Sequence, residues 1–349
     1  MDAKKVQTIP ILSAIDKNYV PIYSVFLASA LEHININFNY EFILLTDNVP
    51  DNMLYMLQMQ TNRLDNVSLS IVDMTNFLMS KTNNFITFPK SACYRLYVPE
   101  LFTQYDKIIY LDPDIIVLGD LSKLLHTLTN EYAAAVLDYG MNGLVNTNNV
   151  CSKWAENYCN AETYYLEYCG FDRKTLKKYF NSGMLVLNLD KMRKNKIVSR
   201  SLELLYSKNF TYPDQDILNF LFNGDVNILS QEWNFIPYEN INLKFSNDLI
   251  EQRKNAISHI KILHFAGSKP WKNTVSVKFE EFFWYYSRKS LYYEQLLKNK
   301  KTKENNISIF VFNLLKYNLF SNLLRRYCPY FYELLKKIYY KIIKNHTKK

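Results

Sequence analysis

The residues best suited to chemistry are Asp112 and Asp114, in the run Lys107-Ile-Ile-Tyr-Leu-Asp112-Pro113-Asp114-Ile-Ile-Val117. The apolar stretch predicts a buried strand over Lys107–Leu111 that delivers two carboxylates, one residue apart, to its C-terminal end. Paired hard oxygen ligands suit Mg²⁺ or Mn²⁺, and such an ion can bridge the oxygens of a diphosphate. The same pair also fits a surface turn or an ion-pair network. Three further clusters hold polar groups. Phe180-Asn181-Ser182-Gly183 precedes an apolar run to Asn188 and reads as a turn in which Gly183 supplies backbone freedom. Tyr212-Pro213-Asp214-Gln215-Asp216 opens a helix, where Asp214 would ordinarily be a cap. Ile262-Leu263-His264-Phe265-Ala266-Gly267-Ser268-Lys269 ends a strand on an imidazole, either a ligand or a satisfied structural histidine.

Elements of alternating type must position these groups. Runs at Ile9–Ile15, Glu41–Thr46, Val67–Val72, Lys107–Leu111 and Tyr132–Leu137 predict strands, and Pro21–His33, Asp51–Arg63 and Ala92–Gln104 predict the helices between them. That rhythm belongs to an α/β protein with an open, mostly parallel sheet, whose ligands bind beyond the carboxyl ends of its strands. Asp16, Asp47, Asp73, Asp112 and Asp138 end those strands, so an acidic rim is expected there. The Asn-rich stretch Asp138–Asn160 reads as a long loop bordering the site. Beyond it the pattern predicts strands at Met184–Leu189, Val226–Leu229 and Ile260–His264, and helices at Val198–Ser207 and Pro213–Phe222.

Composition narrows the chemistry. The 349-residue chain has only 7 glycines, none arranged as G-x-G-x-x-G or G-x-x-x-x-G-K-[ST], so a phosphate-bearing ligand would need a metal or basic side chains instead of a glycine cradle. A net charge of +9 might point to nucleic acid, but Arg288–Lys349 holds 15 Lys and Arg against 3 Asp and Glu. Residues 1–287 are therefore slightly acidic, and nucleic acid is not an expected partner. Five cysteines with no C-x-x-C pair fit a reduced compartment better than a disulfide framework or a zinc site. A strand followed by D-x-D also occurs in haloacid-dehalogenase-type phosphatases, but those continue with small residues where this chain has Ile115 and Ile116.

Taken together, in order and spacing, the four clusters resemble glycosyltransferase family 8, the retaining, metal-dependent transferases that include glycogenin and the bacterial lipooligosaccharide galactosyltransferases. The likeness runs from about Ile9 to Trp271. It implies a GT-A fold, a UDP-sugar donor (UDP-galactose or UDP-glucose) and Mn²⁺ or Mg²⁺. By position, Asp112, Asp114 and His264 would hold the metal, with Pro113 between the two acids. Ala14, Asp16, Asn18 and Tyr19 would contact uracil and ribose, and Arg95 would lie near the donor sugar and phosphates. Asp138, Asn181, Asp214 and Gln215 would hold the sugar hydroxyls, and Gly267 and Lys269 would touch the diphosphate. Only Ser268 separates Gly267 from Lys269, where many members have two residues. Gln215 and Asp214 would be the catalytic pair. An amide is a poor nucleophile, which favours same-face attack and leaves Asp214 open as a transient nucleophile.

The resemblance implies that the acceptor is lipopolysaccharide, lipooligosaccharide or another cell-surface glycolipid. A non-catalytic nucleotide-sugar-binding or membrane-associated assembly factor is the alternative. The expected division is a transferase domain over 1–278 and a basic helical extension over 279–349. In the extension, Leu334, Leu335, Ile338, Tyr339, Ile342 and Ile343 recur at helical spacing, with Lys337, Lys341 and Lys344 on another face. That pattern fits an anionic membrane surface, or a helix packed on the core with a solvated basic side. With no visible signal peptide or spanning segment, the expected location is cytoplasmic, peripheral at the inner face of the cytoplasmic membrane.

Overall fold

The computed structural model describes residues 6–75, 77, 89–147, 151–154, 157–238, 243–272 and 277–300. The basic amphipathic segment Leu334–Lys344 lies outside the described residues. The chain divides into two compact units, Met1–Lys269 with Lys278–Tyr293, and Pro270–Val277 with Glu294–Lys349. Of the second, residues 270–272, 277 and 294–300 are described. The elements described below belong to the first.

Its strands are β1 (Thr8–Asp16), β2 (Asn39–Asp47), β3 (Val67–Asp73), β4 (Lys107–Leu111), β5 (Ile115–Val117), β6 (Ala133–Leu137), β7 (Cys151–Trp154), β8 (Asn157–Asn160), β9 (Phe180–Asn188), β10 (Val226–Leu229) and β11 (Ile262–His264). Seven of them form one sheet in the order β10-β6-β9-β4-β1-β2-β3. Successive side chains of a strand point to opposite faces, and the burial follows that period. Ile11, Phe42 and Ile109 join one apolar cluster, while Leu12, Ile43 and Ile108 join the other. Helices cover both faces, as expected of a mostly parallel sheet. The helix Val20–Leu31 is buried along nearly its whole length, because the helices Asp51–Thr61 and Glu280–Ser287 both pack against it.

One strand breaks the parallel pattern. β9 lies between β4 and β6 and is antiparallel to both. Its N-terminal residues therefore lie at the same edge of the sheet as the C-terminal ends of β1, β4 and β6. Pairing with β6 jumps from Ala135↔Leu185 to Leu137↔Phe180, so Asn181–Met184 bulges over that edge. The expected turn at Asn181–Gly183 is thus part of a strand. A two-stranded ribbon, β5 antiparallel to β11, pairs Ile115 with His264 and brings the imidazole back beside Asp114.

Two other expectations change. The stretch read as a loop from Asp138 folds into the helix Tyr139–Val145 and the hairpin β7–β8; Asp138 Oδ1 accepts from the Met141 N–H and starts that helix. The continuous helix expected over Ala92–Gln104 is three pieces, Lys90–Cys93, a 3₁₀ turn at Tyr94–Tyr97 and Val98–Leu101. Pro99 has no N–H to donate to the Arg95 carbonyl, and the backbone tightens there instead. β5 carries no strand signal in the sequence, since three apolar residues after a Pro-containing turn give too short a pattern.

The helix Pro213–Phe222 is anchored by Asp216, which is fully buried. Its carboxylate accepts from the Tyr164 hydroxyl at 2.8 Å, the Tyr179 hydroxyl at 2.5 Å and the Tyr212 N–H at 3.1 Å. Burial pushes its carboxyl up to about 6, against the lowering effect of those donors. A raised carboxyl favours the protonated fold: its contribution is present below the ordinary carboxylate range and is lost as pH rises through about 6. Asp216→Asn is expected to remove this dependence. Urea titrations at pH 4.5 and pH 7 should show the stability difference between the two pH values reduced by about 1–3 kcal/mol relative to wild type. An unchanged difference would show that Asp216 titrates normally.

Candidate active site and metal centre

The carboxyl ends of β1, β4 and β6, the bulge of β9 and the loop after β11 enclose a cavity of about 430 Å³. Ala14, Asp16 and Tyr19 line it from the end of β1; Asp112, Pro113 and Asp114 line it from the turn between β4 and β5. Asp138 and Asn181 form its floor with Asp214 and Gln215, and Arg95, His264, Gly267 and Lys269 complete it. Asn18 is exposed and does not line the cavity; its backbone N–H, with that of Tyr19, donates to Asp16 Oδ1. Asp47 and Asp73 end β2 and β3 away from the cavity wall.

Arg95, on the 3₁₀ turn, holds the acids together. Its Nη2 donates to Asp112 Oδ1 at 2.7 Å, its Nε lies 3.1 Å from Asp214 Oδ2, and its Nη1 donates to the Ser182 carbonyl at 2.5 Å. Its guanidinium also stacks 4.2 Å from the centre of the Tyr110 ring. Burial opposes charge on this group, but Asp112 and Asp214 outweigh it and hold Arg95 protonated. At Asp214, burial raises the carboxyl, Arg95 opposes the shift and Asp112 adds to it; the net direction is upward. At Asp114, burial likewise opposes ionisation, yet Lys269 and His264 prevail and hold the carboxyl well below the usual range. Lys269 bonds Asp114 Oδ2 and the carbonyls of Phe265 (2.5 Å) and Ala266 (3.2 Å), which engages the three donors of an ammonium.

The remaining ligand atoms converge. His264 Nε2 lies 3.2 Å from Asp114 Oδ1 and 3.7 Å from Asp112 Oδ2, and one ligand atom from each of the three residues falls within 4.8 Å of the others. Two carboxylate oxygens facing an imidazole nitrogen form a donor set that can hold a divalent cation, and two oxygens with one nitrogen suit Mn²⁺. Gly183 makes the space. A Cβ there would stand 2.3 Å from His264 Cε1 and 2.6 Å from Asp112 Oδ2, so this glycine serves close approach and not a turn.

Some contributors had no clear signal in the sequence. Ser182 Oγ receives Arg95 Nη1 at 3.0 Å and donates to Asp214 Oδ2 at 2.9 Å. The Tyr110 hydroxyl donates to Asp112 Oδ1 at 3.1 Å, and the period-2 alternation of β4 could have flagged it. Tyr238 lines the cavity from a segment with no recognisable pattern, and Asn234 lies behind His264.

Fold and site define a sugar transferase of GT-A type. The chain matches the model of Glycosyl transferase family 8 over residues 10–275 and belongs to that family. It is 28% identical over 286 residues to Lipopolysaccharide 1,2-glucosyltransferase of Escherichia coli, covering 79% of this chain and 77% of that one. It is 26% identical over 302 residues to General stress protein A of Bacillus subtilis, covering 81% and 95%. Among solved structures, the WbbM bifunctional glycosyltransferase superposes with a TM-score of 0.76 at 27% identity, over 86% of this chain and 53% of that chain. The chain thus spans about half of that protein's length. Galactosyltransferase LgtC, solved with donor and acceptor sugar analogues, shares the fold at a TM-score of 0.64 and 24% identity, over 81% and 96%.

Gly183→Ala should leave the sheet intact but force His264 or Asp112 aside. We expect Mn²⁺ affinity, read by electron paramagnetic resonance of the free ion, to fall about 10–100-fold. Unchanged affinity would mean the three groups do not act together on a metal.

Proposed function

We propose that this protein is a retaining, metal-dependent hexosyltransferase that moves galactose or glucose from a UDP-sugar to lipopolysaccharide, lipooligosaccharide or another cell-surface glycolipid. The observation that carries the reading is the convergence of Asp112, Asp114 and His264 on one point at the wall of a cavity that also holds Asp138, Asn181, Asp214 and Gln215. Mn²⁺ or Mg²⁺ held by the three groups would act as a Lewis acid on the leaving diphosphate. The carboxylate of Asp214, which lines the same cavity, would offset the positive charge that develops on the sugar ring. Arg95 and Ser182 orient that carboxylate through Oδ2.

Gln215 supports same-face attack. Its Oε1 already accepts from the Ser182 N–H at 2.9 Å and Asn181 Nδ2 at 3.2 Å, and its Nε2 donates to Asp138 Oδ2 and the Tyr179 hydroxyl, both at 3.2 Å. A carbonyl oxygen with both lone pairs engaged is a poor nucleophile. Gln215 instead sets the shape of the pocket, while a leaving phosphate oxygen takes the acceptor's proton. Mass analysis after donor soaking should find no glycosyl adduct; an adduct on Asp214 would overturn same-face attack.

The decisive measurement is UDP release from a panel of UDP-sugars with Mn²⁺. Wild type should release UDP from a hexose donor, and Asp114→Ala should lower the rate about 100-fold or more, the scale expected when one preorganised charge-stabilising group is lost. Equal rates would remove Asp114 from the reaction, and no release from any donor would favour the non-catalytic binding reading.

The segment 279–349 we infer to include a membrane-docking part, carried by its basic charge and by the spacing of Leu334–Ile343. Among the described residues no helix is long and apolar enough to cross a membrane, and the proposed contact is peripheral, at the inner face of the cytoplasmic membrane. Truncation after Lys303 should abolish co-sedimentation with anionic vesicles and spare donor hydrolysis. Loss of both together would contradict a separate docking role.

A further inference from the structure

Behind the metal-ligating groups runs a chain of amides whose direction is fixed at its origin. Asp138 Oδ2 can only accept, so the Asn181 atom 3.1 Å from it is the amide nitrogen. The Gly183 backbone N–H can only donate, so the atom it meets at 3.0 Å is Asn181 Oδ1. Both ends of Asn181 are thus pinned by groups that have no choice. Asn234 stands 2.9 Å from Asn181 Oδ1 and must present its Nδ2 there, which turns its Oδ1 toward His264 Nδ1 at 2.8 Å. The ring nitrogen facing that carbonyl must carry the hydrogen. The other, Nε2, is the one aimed at Asp114 and Asp112. Asn181, Asn234 and His264 are all more than nine-tenths buried, so water does not compete for these contacts.

We infer that Asn234 is a positioning residue that fixes the Nδ1–H tautomer of His264 and so presents the Nε2 lone pair to the cation. The inference rests on the metal centre proposed above. A neutral histidine side chain in water prefers the opposite tautomer, with the hydrogen on Nε2, so the protein must impose this one. A ligating histidine whose other nitrogen is tied to an oxygen acceptor is both oriented and more basic, and loss of such a partner costs about 10–100-fold in metal affinity.

The test is ¹⁵N-histidine NMR of the metal-free protein at mildly alkaline pH, with His264 assigned by His264→Asn, alongside Mn²⁺ titration. Wild type should show His264 carrying a hydrogen on Nδ1, the nitrogen that faces Asn234 Oδ1. Asn234→Leu should lose that signature and bind Mn²⁺ about 10–100-fold more weakly. Asn234→Asp keeps an acceptor for Nδ1–H but sets an oxygen against Asn181 Oδ1, so it should retain the hydrogen on Nδ1, whatever affinity the lost donor costs; loss of that hydrogen would overturn the inference. A bare Nδ1 in the wild type, or Nδ1 protonation and affinity unmoved in Asn234→Leu, would overturn the inference. Should Asn234→Leu not fold, the wild-type spectrum and Asn234→Asp decide. Wild type that binds no Mn²⁺ would overturn the metal centre itself and with it the ligand role of Nε2, while the spectrum would still decide whether Asn234 sets the ring.

Discussion

The structure depends on one electrostatic constraint: four carboxylates from three separate stretches of chain meet at one edge of the sheet. Asp114, Asp138 and Asp214 are nearly buried there, and Asp112 is only partly exposed. Uncompensated, like charges in a low-dielectric site would protonate or force the fold apart. Each is answered by a specific partner. Arg95 bridges Asp112 and Asp214, Lys269 and His264 face Asp114, and Asp138 is satisfied by the Met141 N–H and two amide nitrogens. The buried guanidinium therefore belongs to the architecture as much as to any ligand contact, because removing it would strand two carboxylates at once.

Bringing those groups together is the task of β9. Parallel strands deliver only their carboxyl ends to this edge, and those ends carry acids: Asp16, Asp112 and Asp138. A strand running the other way supplies its amino end, with backbone N–H groups and small polar side chains. The Gly183 carbonyl receives the Asp112 N–H at 2.8 Å and the Tyr179 carbonyl receives the Asp138 N–H at 3.0 Å, so main-chain bonds tie one acid to β9 and the other to the residue just before it. Ser182 and Gly183 then provide what the acids lack, a hydroxyl between Arg95 and Asp214 and an empty volume beside His264.

How much of this is legible in the sequence follows from how local each signal is. The alternation of apolar strands and helices marks the sheet because periodicity needs only neighbours along the chain, and the Asp ending of β4 stands out on that background. Asp16 at the end of β1 has the same look, and its Oδ1 also accepts from the Asn18 and Tyr19 N–H groups as a turn cap. The direction of β9 is not legible, because an apolar run has no arrow, and Gly183 looks like a turn glycine until the neighbours of its missing Cβ are known. Asn234 and Tyr238 have no sequence signature. Their roles arise from a chain reversal that pairs β11 with β5 and from Phe235, which accepts a bond from the His264 N–H at 2.9 Å.

The amides among the acids follow the same logic. At Asn181, Gln215 and Asn234 each side chain accepts at one end and donates at the other, and each end faces a group that demands that role. A carboxylate at Asn181 or Gln215 would add charge to an edge that already carries four acids and would set two acceptors against Asp138. An apolar side chain would orphan buried donors, which costs more than the bond itself contributes. A hydroxyl is too short to span both partners. Asparagine and glutamine are the residues that carry direction without charge, and a buried polar network satisfied at every position admits one arrangement where an apolar core would tolerate several. The single arrangement matters here because the imidazole at its end must offer a particular nitrogen.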